Sequence, residues 1–293
     1  MNADPSPATQ AASAEEATPP RNEADPSDPA QARDLELARD AALAGAAEAM
    51  RHFAALADLP REVKADGSVV TRADRAVEAT IREVLTAARP ADAILGEEEG
   101  QTAGTGERRW IIDPIDGTAL FVAGDTRWLV LVALEEQGEI TVGVAVVPAL
   151  GRLWWASRGA GAYEARFQDG NIYDETRIHV AADARRELAG SRLGVVPDWA
   201  REVAEPLIAA ADEQPWPLHP PLMIARGDLD VAVQTCGHVW DFAATSLIIG
   251  EAGGHYRGLD GRTRPGAGPS LFAANAELRD AALDLFRTAP ASR

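Results

Sequence analysis

Trp110-Ile-Ile-Asp-Pro-Ile-Asp-Gly-Thr118 combines a short apolar segment with an acidic turn. The apolar residues before Asp113 predict a buried strand, and Pro114 then turns the chain. Asp113 and Asp116 lie on either side of this turn, so their carboxylates can converge on one point. Two like charges held this close repel one another unless a cation lies between them. The stretch therefore predicts a site for a hard cation.

A helical segment is predicted directly after the turn, from Ala119 to Val122. The backbone amides near Gly117 and Thr118 would then point back towards the two carboxylates. Helix N-termini attract anions, above all phosphate. The turn would offer acidic ligands for a cation beside amide donors for a phosphate, as metal-assisted phosphoryl chemistry requires. Asp-Pro and Asp-Gly are also ordinary turn dipeptides, so this stretch alone leaves a plain turn as the alternative.

The composition is that of a globular protein with an excess of acidic residues. The chain has 293 residues, of which 46% are hydrophobic, enough for one large domain or two smaller ones. Its formal net charge of -18 argues against nucleic acid as a partner. The single cysteine, Cys236, excludes an internal disulfide framework and a cysteine-based zinc site. Without a membrane-length apolar run or a secretory signal, we expect a cytoplasmic protein with no membrane partner.

Three parts are predicted along the chain. Residues 1–28 have almost no large apolar side chains, and we expect them to form a disordered tail. Residues 29–185 predict an α+β domain that supplies most of the metal ligands, with long helices followed by an antiparallel meander. Residues 186–293 alternate between strands and helices, which is typical of an α/β domain. This second domain would supply Asp241 and the substrate pocket.

The periodicity and the turn signals also predict the single elements. Helices are expected at 29–56, 73–88, 198–210, 219–225, 240–251 and 276–286. Strands are expected at 93–95, 110–112, 128–134, 140–147, 153–156, 162–165, 177–180, 192–196, 231–234, 255–257 and 270–274.

Further acidic residues occur in three other segments. Thr71 can cap the helix that follows a hairpin-like loop, which places Asp74 in its first turn; capping alone would also explain both residues. Gly96-Glu-Glu-Glu-Gly100 predicts either an exposed acidic loop or a loop in which one glutamate turns inward to a metal. Asp241 lies in the first turn of the helix predicted for 240–251.

Taken together, these segments resemble the inositol monophosphatase family of magnesium-dependent, lithium-sensitive phosphatases. The resemblance extends from about Ala32 to the C-terminus. It rests on Val69-Val-Thr-Arg-Ala-Asp74, Gly96-Glu-Glu98, Asp113-Pro-Ile-Asp-Gly-Thr118, Trp240-Asp241 and Glu251-Ala-Gly-Gly254. Within this superfamily, residues 108–113 and 148–162 look most like the actinobacterial histidinol-phosphate phosphatases.

The resemblance implies a layered αβαβα sandwich, α+β in its first part and α/β in its second, often as a homodimer. It implies two Mg²⁺ ions and a third, weaker metal position. Glu98, Asp113 and the carbonyl of Ile115 would hold the first ion. Asp113, Asp116 and Asp241 would hold the second. The third position would lie beside Asp74 and Glu98.

The resemblance also implies which residues take part in the reaction. Asp74, Thr118 and Glu98 are the catalytic candidates, and the segment from Thr71 to Asp74 would orient the attacking water together with Thr118. The amides of Gly117 and Thr118 would bind the phosphate. Lys64, the only lysine of the chain, and Thr71 are accessory candidates, and lysine is not equivalent to arginine at a phosphate or metal site.

We therefore expect a Mg²⁺-dependent phosphomonoesterase that hydrolyses a small phosphorylated metabolite with a metal-activated water. Histidinol phosphate is the first candidate substrate and inositol 1-phosphate the second. Gln234 stands where inositol-specific members of the family typically carry a glutamate. Ala119 and Leu120 replace a polar residue and an asparagine that are common in the family. Because of Leu120, a catalytically weak paralogue that binds phosphorylated ligands stays an alternative to an active phosphatase.

A phosphatase of the haloacid dehalogenase type is a further alternative, because such enzymes also use an aspartate pair and form a phospho-aspartate. They place the two aspartates two residues apart near the start of the fold. Asp113 and Asp116 are three residues apart and lie in the middle of the chain. The spacing therefore favours direct attack by water.

Overall fold

The computed structural model describes residues 28–56, 61–63, 69–197 and 201–288. The tail predicted for residues 1–28 lies outside these ranges except for its last residue. Lys64 and the rest of the loop that was expected to form a hairpin tip also lie outside them. The strands on either side of that loop are described, and they pair antiparallel, with Val63 opposite Val69.

The helices of the described residues agree largely with the sequence pattern. They are α1 (Pro29–Phe53), α2 (Arg72–Ala88), α3 (Thr118–Val122), α4 (Glu205–Ile208), α5 (Pro220–Ala225), α6 (Val239–Glu251) and α7 (Ala276–Thr288). The strands comprise a first group up to residue 178 and a second group from residue 192. The first group is β1 (Arg61–Val63), β2 (Val69–Thr71), β3 (Ala93–Gly96), β4 (Gly100–Gln101), β5 (Arg108–Asp116), β6 (Leu129–Glu136), β7 (Glu139–Val147), β8 (Arg152–Ser157), β9 (Gly161–Gln168) and β10 (Asn171–Ile178). The second group is β11 (Arg192–Val196), β12 (Asp212–Glu213), β13 (Val231–Gln234), β14 (His255–Gly258) and β15 (Ser270–Ala273).

Two large sheets form the framework. The first has eight strands in the order β10-β9-β8-β7-β6-β5-β3-β4, and its neighbours are antiparallel except for the parallel pair β3 and β5. The second has five strands in the order β12-β11-β13-β15-β14, with β11 parallel to both of its neighbours. The predicted antiparallel meander corresponds to β6 to β9 and is confirmed.

The side chains of each strand alternate between two cores, because successive residues of a strand point to opposite faces. Trp110 and Ile112 of β5 pack with α1 and α2 on the outer face of the eight-stranded sheet. Ile111 packs on the inner face, where α5 and α6 lie between the two sheets. A third core joins the five-stranded sheet to α4 and α7, for example through Leu207 and Ala282.

The order of layers is therefore helix, sheet, helix, sheet, helix, which confirms the predicted αβαβα sandwich. The chain passes from the first sheet to the second between Ile178 and Arg192. The core between the sheets contains residues from both parts, such as Leu131 and Phe272. The division into two domains stays a prediction.

Two expectations about single elements differ from the structure. The helix predicted for 198–210 is shorter in its described part, where a 3-10 helix at Glu202–Ala204 leads into α4, which ends at Ile208. Pro206 explains this difference, because proline has no amide hydrogen and is tolerated only in the first turn of a helix. The strand predicted for 177–180 begins earlier, as β10, whose charged residues are mostly exposed at the edge of the sheet.

A helix that crosses a lipid bilayer needs about 20 predominantly apolar residues. Among the residues that the structure describes, no helix combines the length and the apolarity that a membrane crossing requires.

Candidate active site

A bulge in β5 brings Asp113 and Asp116 to the same side. Asp113 lies opposite Leu131 of β6 and Asp116 lies opposite Leu129, so three steps along β5 match two steps along β6. In a regular strand, residues three apart would point to opposite faces. Pro114 lies inside the bulge, where a missing amide hydrogen does not interrupt the ladder. The Asp-Pro-Ile-Asp sequence thus forms a local irregularity that pairs its two carboxylates.

Asp241 reaches the same place from the first turn of α6. Asp113, Asp116 and Asp241 each have a carboxylate oxygen within 4.8 Å of the other two. The backbone amide of His238 donates a hydrogen bond of 2.7 Å to Oδ2 of Asp241 and fixes its side chain. Three of the predicted metal ligands, from distant parts of the chain, therefore lie together.

The electrostatics of this cluster favour a cation. Burial, and then the charges of Glu97, Asp116, Asp241 and Asp74, hold the pKa of Asp113 well above its usual range. Burial, and then the charges of Asp241 and Glu97, raise the pKa of Asp116 in the same way.

The hydrogen bonding of the cluster tests whether a metal ion fits. Among the described residues, Oδ1 of Asp113 and Oδ2 of Asp116 are buried and accept no hydrogen bond. Burying unpaired carboxylate oxygens is costly, and an ion between them would offset that cost. The donors are all oxygens, which suit a hard divalent cation such as Mg²⁺.

Glu97, and not the predicted Glu98, lies at the carboxylate cluster. Glu97 lines the cavity beside Asp113 and Asp116, and its charge contributes to the raised pKa of both aspartates. Glu98 is not among the residues that line this cavity. One glutamate of the acidic loop therefore faces the cavity, at the position before the one that the family resemblance implied.

Glu78 of α2 explains which glutamate faces the cluster. Its buried carboxylate accepts hydrogen bonds from the backbone amides of Glu98 at 2.7 Å and Glu99 at 3.1 Å. Arg82 donates to the same carboxylate at 2.8 Å. The approach requires glycine at position 96, because a Cβ atom there would lie 2.1 Å from Oε1 of Glu78. Glu78 thus holds the turn that delivers Glu97, a role that nothing in the local sequence indicated.

Asp74 is fully buried and holds Thr118. Its Oδ1 accepts the Thr118 hydroxyl at 3.0 Å, and its Oδ2 accepts the amide of Thr71 at 2.8 Å and the Thr71 hydroxyl at 2.7 Å. Burial raises the pKa of Asp74, although these hydrogen bonds act in the opposite direction. The Thr118 hydroxyl also lies 3.1 Å from the carbonyl oxygen of Ile115. Thr71 and Asp74 cap α2, and Asp74 also holds a residue of the cavity, so the two residues have a structural role as well as a contact with the site.

Gly117 connects the bulge to α3 and has a positive φ of 87°. Only glycine adopts this conformation without strain. Its carbonyl accepts the amides of Leu120 and Phe121, so α3 begins where the sequence pattern placed a helix. Gly117 and Thr118 both line the cavity next to the aspartates.

The cavity at the cluster has a volume of about 310 Å³. Its acidic end is formed by Glu97 and the three clustered aspartates. The remaining wall is mostly apolar and includes Leu120, Leu129, Val196, Pro197 and Trp216. A phosphate at the acidic end would therefore place the rest of a small ligand against a largely apolar surface.

Sequence analysis missed two residues of this wall, Trp216 and His219. His219 immediately precedes α5 and is only 3% exposed. Its Nε2 lies 3.5 Å from Oδ2 of Asp116, and burial lowers the pKa of His219 to about 4. The proline-rich stretch around these residues gave no periodic signal that could have assigned them to the site.

The comparisons with known proteins agree with this geometry. The chain matches the inositol monophosphatase family over residues 31–290. It is 41% identical over 263 residues to a histidinol-phosphatase of Streptomyces coelicolor, covering 84% of this chain and 94% of that protein. It is 31% identical over 249 residues to an inositol-1-monophosphatase of Rhizobium meliloti, covering 81% and 90%. The crystal structure of the extragenic suppressor protein suhB from Bartonella henselae superposes with a TM-score of 0.74 at 25% identity, covering 88% of this chain and all of that one.

Proposed function

Because this chain belongs to the inositol monophosphatase family, we propose that its phosphatase activity is Mg²⁺-dependent and that histidinol phosphate is its substrate. Phosphoric monoester hydrolysis is the activity indicated by the family and by the names of the relatives. The observation that carries the proposal is the convergence of Asp113, Asp116 and Asp241 on one point beside a cavity.

The carboxylate cluster would hold two Mg²⁺ ions. Glu97, Asp113 and the carbonyl of Ile115 would bind one, and Asp113, Asp116 and Asp241 would bind the other. Asp74 would lie with Glu97 beside a third, weaker position. When bound, the ions would neutralise phosphate oxygens and lower the pKa of a coordinated water. The buried oxygens of Asp113 and Asp116 that accept no hydrogen bond within the described protein support this assignment.

Thr118 and Asp74 would orient the attacking water. Because the Thr118 hydroxyl donates to Oδ1 of Asp74, a lone pair of its oxygen stays available to accept a hydrogen bond from water. The backbone amides of Gly117 and Thr118 would donate to the phosphate, and Thr71 would act through Asp74, whose carboxylate it holds.

Similarity at 41% identity over most of both chains supports histidinol phosphate as the substrate. Inositol 1-phosphate is the second candidate, and the similarity to an inositol-1-monophosphatase supports it. Gln234 lines the cavity where inositol-specific members typically carry a glutamate, and this difference favours the first candidate. A homodimer stays a prediction of the family resemblance, and a cytoplasmic location stays a prediction of the sequence.

The direct test is to measure phosphate release from four esters side by side. They are histidinol phosphate, inositol 1-phosphate, fructose 1,6-bisphosphate and 3′-phosphoadenosine 5′-phosphate. We expect histidinol phosphate to give the highest kcat/KM, with activity lost on chelation and restored by Mg²⁺. A higher kcat/KM for another ester would reject histidinol phosphate as the substrate. Binding of these esters without release of phosphate from any of them would favour the catalytically weak paralogue.

A further inference from the structure

His219 is a buried polar residue whose hydrogen-bonding capacity is unused. It lines the cavity and is 3% exposed, and neither ring nitrogen has a hydrogen-bond partner among the described residues. The distance of 3.5 Å between its Nε2 and Oδ2 of Asp116 exceeds that of a good hydrogen bond. Buried polar groups in folded proteins are nearly always paired. The occupant of the cavity is therefore the natural partner of this imidazole.

Trp216 forms a fixed, flat wall in the same segment of the chain. The guanidinium of Arg127 lies 4.0 Å from the centre of the indole ring, and its Nη1 donates to the Trp216 carbonyl at 3.3 Å. Both carboxylate oxygens of Asp125 accept hydrogen bonds from Arg127, at 3.0 and 2.8 Å. The arginine is thus anchored on one side and packs against the indole on the other, so the tryptophan is held in place.

Most of the other lining residues are apolar, although Arg127 and Gln234 also line the cavity. Leu120, Leu129, Val196 and Pro197 line the cavity with side chains that have no polar atoms. Any hydroxyl group of a polyol leaving group that faces these four residues would lose its water without gaining a partner. A flat ring with few polar atoms would avoid that loss and could stack on Trp216.

The chemistry of His219 adds a second constraint. A neutral imidazole has one donor and one acceptor nitrogen. An imidazole-like ring on the ligand also has one donor and one acceptor nitrogen, so it can form one hydrogen bond with His219, either by donating to the acceptor nitrogen or by accepting from the donor nitrogen.

We propose that Trp216 and His219 form a leaving-group subsite that selects a planar nitrogen heteroaromatic group over a polyol. The inference rests on the proposed function, since it names the residues through which the phosphatase distinguishes its substrate from other monoesters.

The test compares histidinol phosphate with glycerol 2-phosphate, a small acyclic monoester that cannot fill such a subsite. The measured quantity is the ratio of the two kcat/KM values. His219→Leu removes both nitrogens at similar size, and we expect it to lower this ratio about tenfold or more, mainly through the KM for histidinol phosphate. Trp216→Leu should lower the ratio in the same direction. His219→Gln keeps a donor and an acceptor and should restore part of the ratio.

His179→Leu is the matched control, because His179 is exposed and does not line the cavity. It should leave the ratio unchanged. Thermal unfolding and Mg²⁺ titration calorimetry are measured for each variant. If the residues act only on the leaving group, every variant should keep the unfolding temperature and the Mg²⁺ affinity of the wild type. A His219→Gln protein that folds but has the low ratio of His219→Leu would contradict the hydrogen-bonding role.

Two results would overturn the inference in distinguishable ways. If the wild type hydrolyses both esters and Trp216→Leu and His219→Leu leave the ratio unchanged, the subsite is rejected while the proposed function stands. If His219→Leu weakens Mg²⁺ binding and lowers both activities equally, His219 acts through Asp116 and not on the leaving group. A wild type that hydrolyses neither ester would reject the proposed function and the subsite together.

Discussion

Four other acidic residues surround Asp113 and contribute to its raised pKa. A residue this buried and this crowded is expected to be costly for folding when no cation is bound. The charge of Asp113 would then serve binding and catalysis and not stability. A substitution that removes the charge but keeps the shape of the side chain separates the effect on catalysis from the effect on stability.

Asp113→Asn should lower kcat for phosphate release by at least about a hundredfold, because it removes a ligand charge that would be shared by both metal positions. In the presence of a chelator the same variant should unfold at a higher temperature than the wild type, since like-charge repulsion is relieved. Phosphate assays and scanning calorimetry measure the two effects.

Asp169→Asn is the control for this substitution, because Asp169 is exposed and lies in a turn whose φ of 49° asparagine tolerates. It should change neither quantity. Retention of wild-type turnover by Asp113→Asn would show that the site is misassigned.

The acidic residues around the turn show how far a sequence alone can identify a site. Asp113, Asp116 and Asp241 were predicted as ligands from their motifs, and the structure brings them together. Glu97 was missed in favour of Glu98, because three adjacent glutamates have the same composition and only the backbone turn decides which one faces inward. His219 was missed because its burial depends on elements that are distant in sequence.

At the scale of elements, Glu78 in the second turn of α2 links this helix to the loop that follows β3. This glutamate binds the backbone of residues 98 and 99, while the neighbouring Glu97 lines the cavity beside the three aspartates. Helix α2 therefore acts on the site twice, through Asp74 at its start and through Glu78 one turn further on.

Glu78→Gln should weaken Mg²⁺ binding about tenfold, because the amide nitrogen of glutamine cannot accept the backbone hydrogen bonds that fix the turn. Titration calorimetry measures the affinity directly. Glu83→Gln on the exposed side of α2 is the matched control and should bind Mg²⁺ as the wild type does. Equal affinities for the wild type and Glu78→Gln would reject the positioning role.

Arg192 of β11 forms an ion pair with Asp230, the residue directly before β13, and the contribution of this pair to stability depends on pH. Oδ2 of Asp230 accepts the Arg192 amide at 2.8 Å, and Nη2 of Arg192 donates to Oδ1 at 2.7 Å. Burial would raise the pKa of Asp230, but the hydrogen bonds from Arg192 outweigh it and lower the pKa below its ordinary value. A carboxylate with a lowered pKa stabilises the fold above its unfolded pKa of about 3.9.

Asp230→Asn should therefore lower the free energy of unfolding at pH 7, and the difference from the wild type should shrink as the pH falls below about 4. Urea unfolding at a series of pH values gives this difference. Asp169→Asn again provides the comparison and should show no such trend. A difference between wild type and Asp230→Asn that grows towards acid pH would have the wrong sign for this ion pair.

The elements differ in how well the sequence predicted them. Long periodic segments such as α1 and α2 and the apolar strands β6 to β8 were predicted closely, because burial imposes a clear period. In its described part, the helix expected at 198–210 is α-helical only from Glu205, because Pro206 has to lie in the first turn. Charged residues in β10 concealed an edge strand, since its ladder depends on β9 and not on apolar alternation.

For the whole molecule, the order of layers explains why the site lies where it does. Helix α6 lies between the two sheets and presents Asp241 to the bulge of β5. The segment from Trp216 to His219 approaches the same cavity before α5. The site is therefore assembled by the packing of the second part of the chain on the first, and no short stretch contains it.

Carboxylates from distant segments of the chain converge on one point, and we expect them to bind Mg²⁺ together. The most direct measurement is the unfolding temperature of the wild type, Asp113→Asn and Asp241→Asn, with and without excess Mg²⁺. A ligand that binds only the folded state stabilises it by mass action, so the wild type should gain about 5 °C or more. Neither variant should reach this gain. If Mg²⁺ raises the unfolding temperature of Asp241→Asn as much as that of the wild type, Asp241 does not belong to a shared Mg²⁺ site.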